Sequence, residues 1–160
     1  MKIQIMNNAK KKRFIAELSG FGLKKIPEML VRSGKERIRA FSGDLSKEEV
    51  MEIWRLFPIE GVGLYVGKDM VNRNGVHEVR LSIDGIHLWR SQLRNRIIEL
   101  SADEEVEWFL GRDVEIDSDI EEGFVLVRGG SDFVGMGKLG SEGKILYSFL
   151  PKERRRKERM

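Results

Sequence analysis

Three short β-prone stretches, 123–127, 133–138 and 144–149, are separated only by glycine-bearing turns, Gly129-Gly130 and Gly140-Ser141-Glu142-Gly143. Strands so closely spaced after one helix predict a small barrel. One helix precedes them. Ser101 with Glu104 three residues later is a capping box. It opens a helix expected to turn Val106, Phe109 and Leu110 inward, with Gly111 at its end. Asp103, Glu104 and Glu105 in the first turn suit the helix dipole. A strand over 96–100 leads into it.

The first half reads differently. Residues 10–18 predict a helix capped by Asn7 or Asn8, with Phe14, Ile15 and Leu18 as its apolar stripe and Gly20 past its end. Short strands at 30–32 and 37–41 flank the turn Ser33-Gly34. A second capping box, Ser46 with Glu49, opens a helix whose Val50, Ile53, Trp54 and Phe57 recur at helical spacing, and Pro58 is expected to stop it. The stretches 63–66 and 76–82, joined by the turn Asn72-Arg73-Asn74-Gly75, predict a hairpin. Residues 86–93 read as a short helix or as irregular. The change of pattern at Arg96 divides the chain into modules 1–93 and 96–160, so the fold class expected is α+β.

Charge is segregated. Residues 1–40 carry a net +8, residues 101–122 a net −9, and residues 123–160 a net +5, within a chain whose total is +3. Clustered Lys and Arg attract polyanions more strongly than the total implies, which points to nucleic acid. Acidic proteins and anionic membranes share that attraction. Much of the −9 segment is already explained by the helix dipole. Lys152 to Arg159 forms a basic tail, expected to be loose at its end. The Lys-, Arg- and Glu-rich balance is similar to that of proteins from hyperthermophiles. With no cysteine, no long apolar run and no secretory signal pattern, a cytoplasmic protein without membrane partners is expected.

Catalytic patterns are weak. Gly135-x-Gly137-x-x-Gly140 matches a dinucleotide fingerprint by letter, but β-prone residues follow where a helix must begin, so a tight barrel turn is the preferred reading. His77 and His87 lack metal-ligand spacing, and Asp117, Asp119, Glu121 and Glu122 read as a solvated loop. Trp54 and Trp108 are expected in the core. Trp89, flanked by Arg90, Arg94 and Arg96, is expected to pack inside, with base stacking as the other role open to it. No enzyme, cofactor or metal is expected.

The stretch from Leu100 through Gly111, with Gly123-Phe-Val-Leu-Val-Arg128, Gly135-Met-Gly-Lys138 and Pro151-Lys152, resembles the PUA-like C-terminal domain of Sun/Fmu-type rRNA cytosine-C5 methyltransferases. Archaea have stand-alone relatives described as ribosome biogenesis proteins. Gly61-Val-Gly-Leu-Tyr-Val-Gly67 through Val79-Arg80-Leu81 also resembles the α/β domain that precedes PUA domains in large-subunit assembly factors. The resemblance implies a small N-terminal α/β pre-PUA-like module followed by a PUA-like mixed β-barrel. It further implies a non-catalytic protein of ribosome biogenesis or of rRNA and tRNA maturation, whose partners are structured RNA and ribosome-assembly proteins or an RNA methyltransferase. Its RNA contacts would be Gly111, Arg112, Lys138, Lys152, Arg154, Arg155 and Arg156. Arg and Lys there suit phosphate neutralisation. The competing class is a protein-interaction subunit of such a complex that docks without touching RNA. A salt-dependent shift with structured RNA separates the two.

Overall fold

In the computed structural model the chain divides into two units, Met1–Leu93 and Arg94–Met160. The structure describes residues 2–57, 59 and 61–157. Pro58 and Arg159 lie outside the described residues.

The N-terminal unit is built on one antiparallel sheet in chain order: β1 (Ile3–Ile5), β2 (Met29–Ser33), β3 (Arg37–Phe41), β4 (Leu64–Val71) and β5 (His77–Leu81). β1 was not foreseen; three residues are too few to show a period. Helix α1 (Asn8–Leu18) begins where the Asn7 side chain accepts from the Lys10 N–H. Helix α2 (Lys47–Leu56) has the full Ser46–Glu49 capping box. Its apolar row is only partly used, because Val50 is buried while Phe57, expected inward, is 60% exposed. Helix α3 (Ile83–Trp89) follows β5 directly through its N-cap Ser82, whose hydroxyl accepts from the Gly85 N–H. Gly85 allows α3 to lie directly on β4, since a Cβ there would come within 2.2 Å of the Val66 carbonyl oxygen. Trp89 is buried edge-on to Phe14 and donates its indole N–H to Glu28.

Alternation assigns Leu30, Ile38, Ala40, Val79 and Leu81 to one sheet face, and all are buried. Asp69 shares that face. Its carboxylate, 2% exposed, accepts from Arg13 of α1 at 2.7 Å and from Arg32 of β2 at 2.6 Å, with His77 Nδ1 3.6 Å away. Two guanidinium groups on one carboxylate oxygen tie α1 to the centre of the sheet.

The C-terminal unit orders its strands β6 (Ile97–Leu100), β8 (Gly123–Gly129), β9 (Asp132–Leu139), β10 (Ile145–Ser148) and β7 (Val114–Glu115). β6 runs parallel to β8, and the other pairs are antiparallel. The parallel pair is made possible by helix α4 (Ala102–Phe109), which supplies the crossover. The sheet curls into a half-barrel. Its edge strands β6 and β7 do not pair with each other among the described residues, so it is open where a barrel was expected.

Trp108 is fully buried and donates its indole N–H to the Val134 carbonyl. Val106, expected inward, is 52% exposed: the helix has eight residues, and turning Trp108 onto the sheet turns Val106 away. Gly135 and Gly137 lie inside β9, and among the described residues no α-helix follows them. A Cβ at Gly137 would press on the Tyr147 carbonyl oxygen at 2.7 Å and on Leu146. The acidic segment after β7 is held by the Ile116 N–H on the Lys144 carbonyl and by Gly143, where the backbone is left-handed and a Cβ would meet the Ser118 carbonyl oxygen.

Replacing Asp69 with Asn leaves two guanidinium groups facing a neutral amide. Asp69→Asn should lower the stability of the N-terminal unit by roughly 2 kcal/mol, less than for a fully buried pair because Arg13 is partly solvated. Urea denaturation followed by tryptophan fluorescence measures this, as a lower midpoint.

Candidate nucleic-acid interface

The C-terminal basic residues are held by the main chain. After β10, the Ser148 hydroxyl accepts from the Leu150 N–H, and Pro151 leads into a 3-10 turn over Lys152–Arg154. The chain then crosses to the end of α4, where the Arg156 N–H donates to the Phe109 carbonyl at 2.7 Å. That carbonyl belongs to the last turn of the helix, where the acceptors left over by helix geometry must find outside donors. The guanidinium of Arg156 sits 4.6 Å over the Phe109 ring. Arg155 donates its Nε–H to the Leu150 carbonyl at 3.1 Å and lays its aliphatic stem against Gly111.

Gly111 is required by two independent conditions. Its φ is +78°, the left-handed region that ends helices. A Cβ would also lie 2.4 Å from Cδ of Arg155. Next to it, Arg112 places Nη1 3.3 Å from both carboxylate oxygens of Glu107, and both side chains are nearly half exposed. A pair so solvated is worth about 0.2–1 kcal/mol and costs little to break.

Of the residues expected to contact RNA, the structure therefore gathers Gly111, Arg112, Arg155 and Arg156 around the end of α4, with Lys152 and Arg154 in the turn that leads there. The tail, expected to be loose at its end, is held by backbone bonds as far as Arg156, and its last residues lie outside the described ones. Lys138 stands in a different group. On β9 it lies directly between Phe124 of β8 and Tyr147 of β10, with Nζ 5.5 Å from the Phe124 ring centroid. Phe149 packs on Phe124 at 5.8 Å between centroids. Tyr147 is 41% exposed. A cation between aromatic rings suits a nucleotide, since the ring faces accept a base while the ammonium meets a phosphate. Tyr147 and Phe124 were not singled out from sequence. The signal available was the alternation Tyr147-x-Phe149 in the last strand, but only the register across β8 and β9 shows which strand partners they meet. Arg128, a further cation of this sheet, is engaged by Glu99, whose hydrogen bond raises the guanidinium pKa above its usual value.

Residues 95–156 match the family model described as the methyltransferase RsmF PUA domain. They form a PUA-like domain. It resembles the corresponding domain of Sun/Fmu-type methyltransferases, as the residues around Gly111 and Lys138 led us to expect. The match is to the PUA domain and does not extend to a catalytic domain. A search of curated proteins gave no match to this chain. A PUA domain points to RNA as the ligand class. Among the described residues, no group of His, Asp and Glu is placed to hold a metal ion, and no helix is long and apolar enough to cross a membrane.

The contact between Gly111 and Arg155 gives a direct test of how this PUA-like domain holds its strap. Gly111→Ala should lower the melting temperature, with a cost of about 1–2 kcal/mol from left-handed strain and collision together. Adding Arg155→Ala should recover the collision part and leave the strain. Thermal unfolding of the full chain, single against double variant, separates the two contributions.

Proposed function

We propose that this protein binds structured RNA without catalysing a reaction on it, and that it acts in ribosome biogenesis or in rRNA or tRNA maturation. The observation that carries the proposal is the convergence at the end of α4. Main-chain bonds deliver Arg155 and Arg156 to the glycine turn that holds Arg112, which is where the PUA resemblance assigns RNA contact. Binding energy would come from phosphate neutralisation by Arg112, Lys152, Arg154 and Arg156, with Lys138 and its aromatic neighbours receiving an unstacked base. The roles differ within the group. Arg155 acts mainly on the strap itself, because its Nε–H is committed to the Leu150 carbonyl. The N-terminal unit is proposed to be the pre-PUA-like module of the assembly-factor arrangement, with ribosome-assembly proteins or an RNA methyltransferase as neighbours.

The test is a salt titration of binding to a folded rRNA or tRNA fragment by wild type and by Lys152→Ala/Arg154→Ala. Each phosphate contact contributes roughly 0.7–0.9 to the slope of log K against log salt, so the double variant should lose about 1–2 units and weaken all RNA sequences similarly. Its melting temperature should stay within a degree or two of wild type, since the exposed charges contribute little to folding. Equal slopes and equal affinities would remove the strap from the binding surface.

A further inference from the structure

The second face of the N-terminal sheet carries a row of like charges on adjacent strands. In the register of that sheet, Arg37 of β3 stands directly opposite Lys68 of β4, and Lys68 directly opposite Arg80 of β5. Three cations thus lie side by side on three adjacent strands. With strands about 4.8 Å apart, the row spans roughly 10 Å. Like charges placed directly opposite one another destabilise a sheet. Arg39 and Tyr65 form the neighbouring cross-strand pair on the same face, one step along β3 and β4 past the bulge at Ile38/Arg39.

This face is the one opposite α1 and Asp69. Arg13 and Arg32 reach Asp69 from the other side, and Lys68 alternates with Asp69 along β4. At β1 and β2 the same face is apolar and buried, through Ile3 and Val31. The cations begin where that apolar half stops. Arg37 is exposed, and Lys68, Arg39, Tyr65 and Arg80 are each partly exposed. Carboxylates approach the row at two described positions. Glu78 reaches Arg80 at 3.6 Å, and Glu36 lies close enough to Tyr65 to affect its charge. Among the described residues, Arg37 and Lys68 stand as directly opposed like charges in the middle of this row. The Arg37 guanidinium lies 5.9 Å from the Tyr65 ring centroid. Burial raises the Tyr65 phenol pKa, with Arg37 and Arg39 pulling it back, so the ring stays neutral at physiological pH and keeps a face suited to stacking.

We infer that the row Arg37–Lys68–Arg80, with Tyr65 and Arg39 beside it, is a second RNA-binding surface that takes a single strand laid across β3, β4 and β5. One cation per strand meets the phosphodiester backbone, and Tyr65 receives a base. Stacking aromatics next to a cationic track are the pairing used to bind single strands without sequence preference. An acidic peptide would use the cations but has no use for the tyrosine face, so RNA is the partner that accounts for both features. The inference stands on this face alone and is separate from the strap around Gly111.

The experiment uses the full chain and a fluorescently labelled oligouridylate in a salt titration. The variants are Arg37→Gln/Lys68→Gln, Tyr65→Leu and Lys152→Ala/Arg154→Ala. Single strands give a slope of roughly 0.7 per phosphate, so the first variant should lose about 1.4 units of slope and about tenfold or more in affinity at low salt. Its melting temperature should hold or rise, because two like-charge contacts are gone. Tyr65→Leu should lose about tenfold in affinity with an unchanged slope. The strap variant keeps Arg37, Lys68 and Tyr65, so it should retain more of its oligouridylate affinity than Arg37→Gln/Lys68→Gln does, while losing slope on folded RNA. Unchanged oligouridylate binding by a folded Arg37→Gln/Lys68→Gln protein would overturn the inference. So would equal binding of a labelled polyglutamate, which would reassign the row to an acidic protein. Loss of oligouridylate binding in the strap variant alone would assign all RNA contact to the C-terminal unit and overturn it too. Should the double variant not fold, Arg37→Gln at its exposed position still reads about half of the slope change.

Discussion

The indole of Trp108 sets the geometry of the C-terminal unit. It lies between α4 and β9, fully buried, its N–H spent on the Val134 carbonyl and the far edge of its ring against Gly137, where a Cβ would come within 3.4 Å. Truncating such a residue costs about 3–5 kcal/mol in other proteins. Its structural effect here is larger than its own burial. By fixing the roll of α4 it determines where the Phe109 carbonyl points, and that carbonyl receives the strap. The glycine at 137 is part of the same contact, since both the ring and the backbone of β10 occupy the space a side chain would need.

Local chemistry was legible in the sequence, and contacts between distant segments were not. Both capping boxes form as read, with reciprocal side-chain and backbone bonds at Ser46–Glu49 and Ser101–Glu104. The Asn72–Gly75 turn joins β4 to β5 as expected. The misses have physical causes. β1 and β7 have three and two residues and owe their strand character to partners far away in the chain. Val106 and Phe57 fall on apolar rows at helical spacing, yet helices of eight and ten residues bury only a narrow stripe, claimed by Trp108 and Val50. In the candidate site, residue types were readable because Arg and Lys after a final strand are conspicuous. That Arg156 meets Phe109 and Arg155 meets Gly111 depends on pairings more than forty residues apart, for which no local pattern exists.

The charge segregation seen along the chain resolves into separate structural uses. Asp103, Glu104 and Glu105 sit in the first turn of α4, where the helix dipole favours them. The later carboxylates lie in a loop held by backbone bonds. In the N-terminal unit, Arg13 and Arg32 converge on a buried carboxylate, whereas Arg37, Lys68 and Arg80 are set beside one another on the opposite face. Cations of the same unit thus differ in use, Arg13 and Arg32 tying the fold together through Asp69 and the row on the other face setting like charges side by side.

The bond that ends the strap is made by a peptide N–H and not by a side chain. The stretch from Ser148 to the Phe109 carbonyl therefore works as a ruler with fixed marks. Exchanging an exposed side chain such as that of Lys152, Arg154 or Arg156 leaves every mark in place, so the charge displayed near Gly111 can change on an unchanged frame. Adding or removing a single residue shifts every mark by one and puts a different side chain over the glycine. For a segment at the edge of a domain, where length variation is ordinarily the most tolerated kind of change, the strap inverts the rule: its exposed positions are free to vary and its length is not.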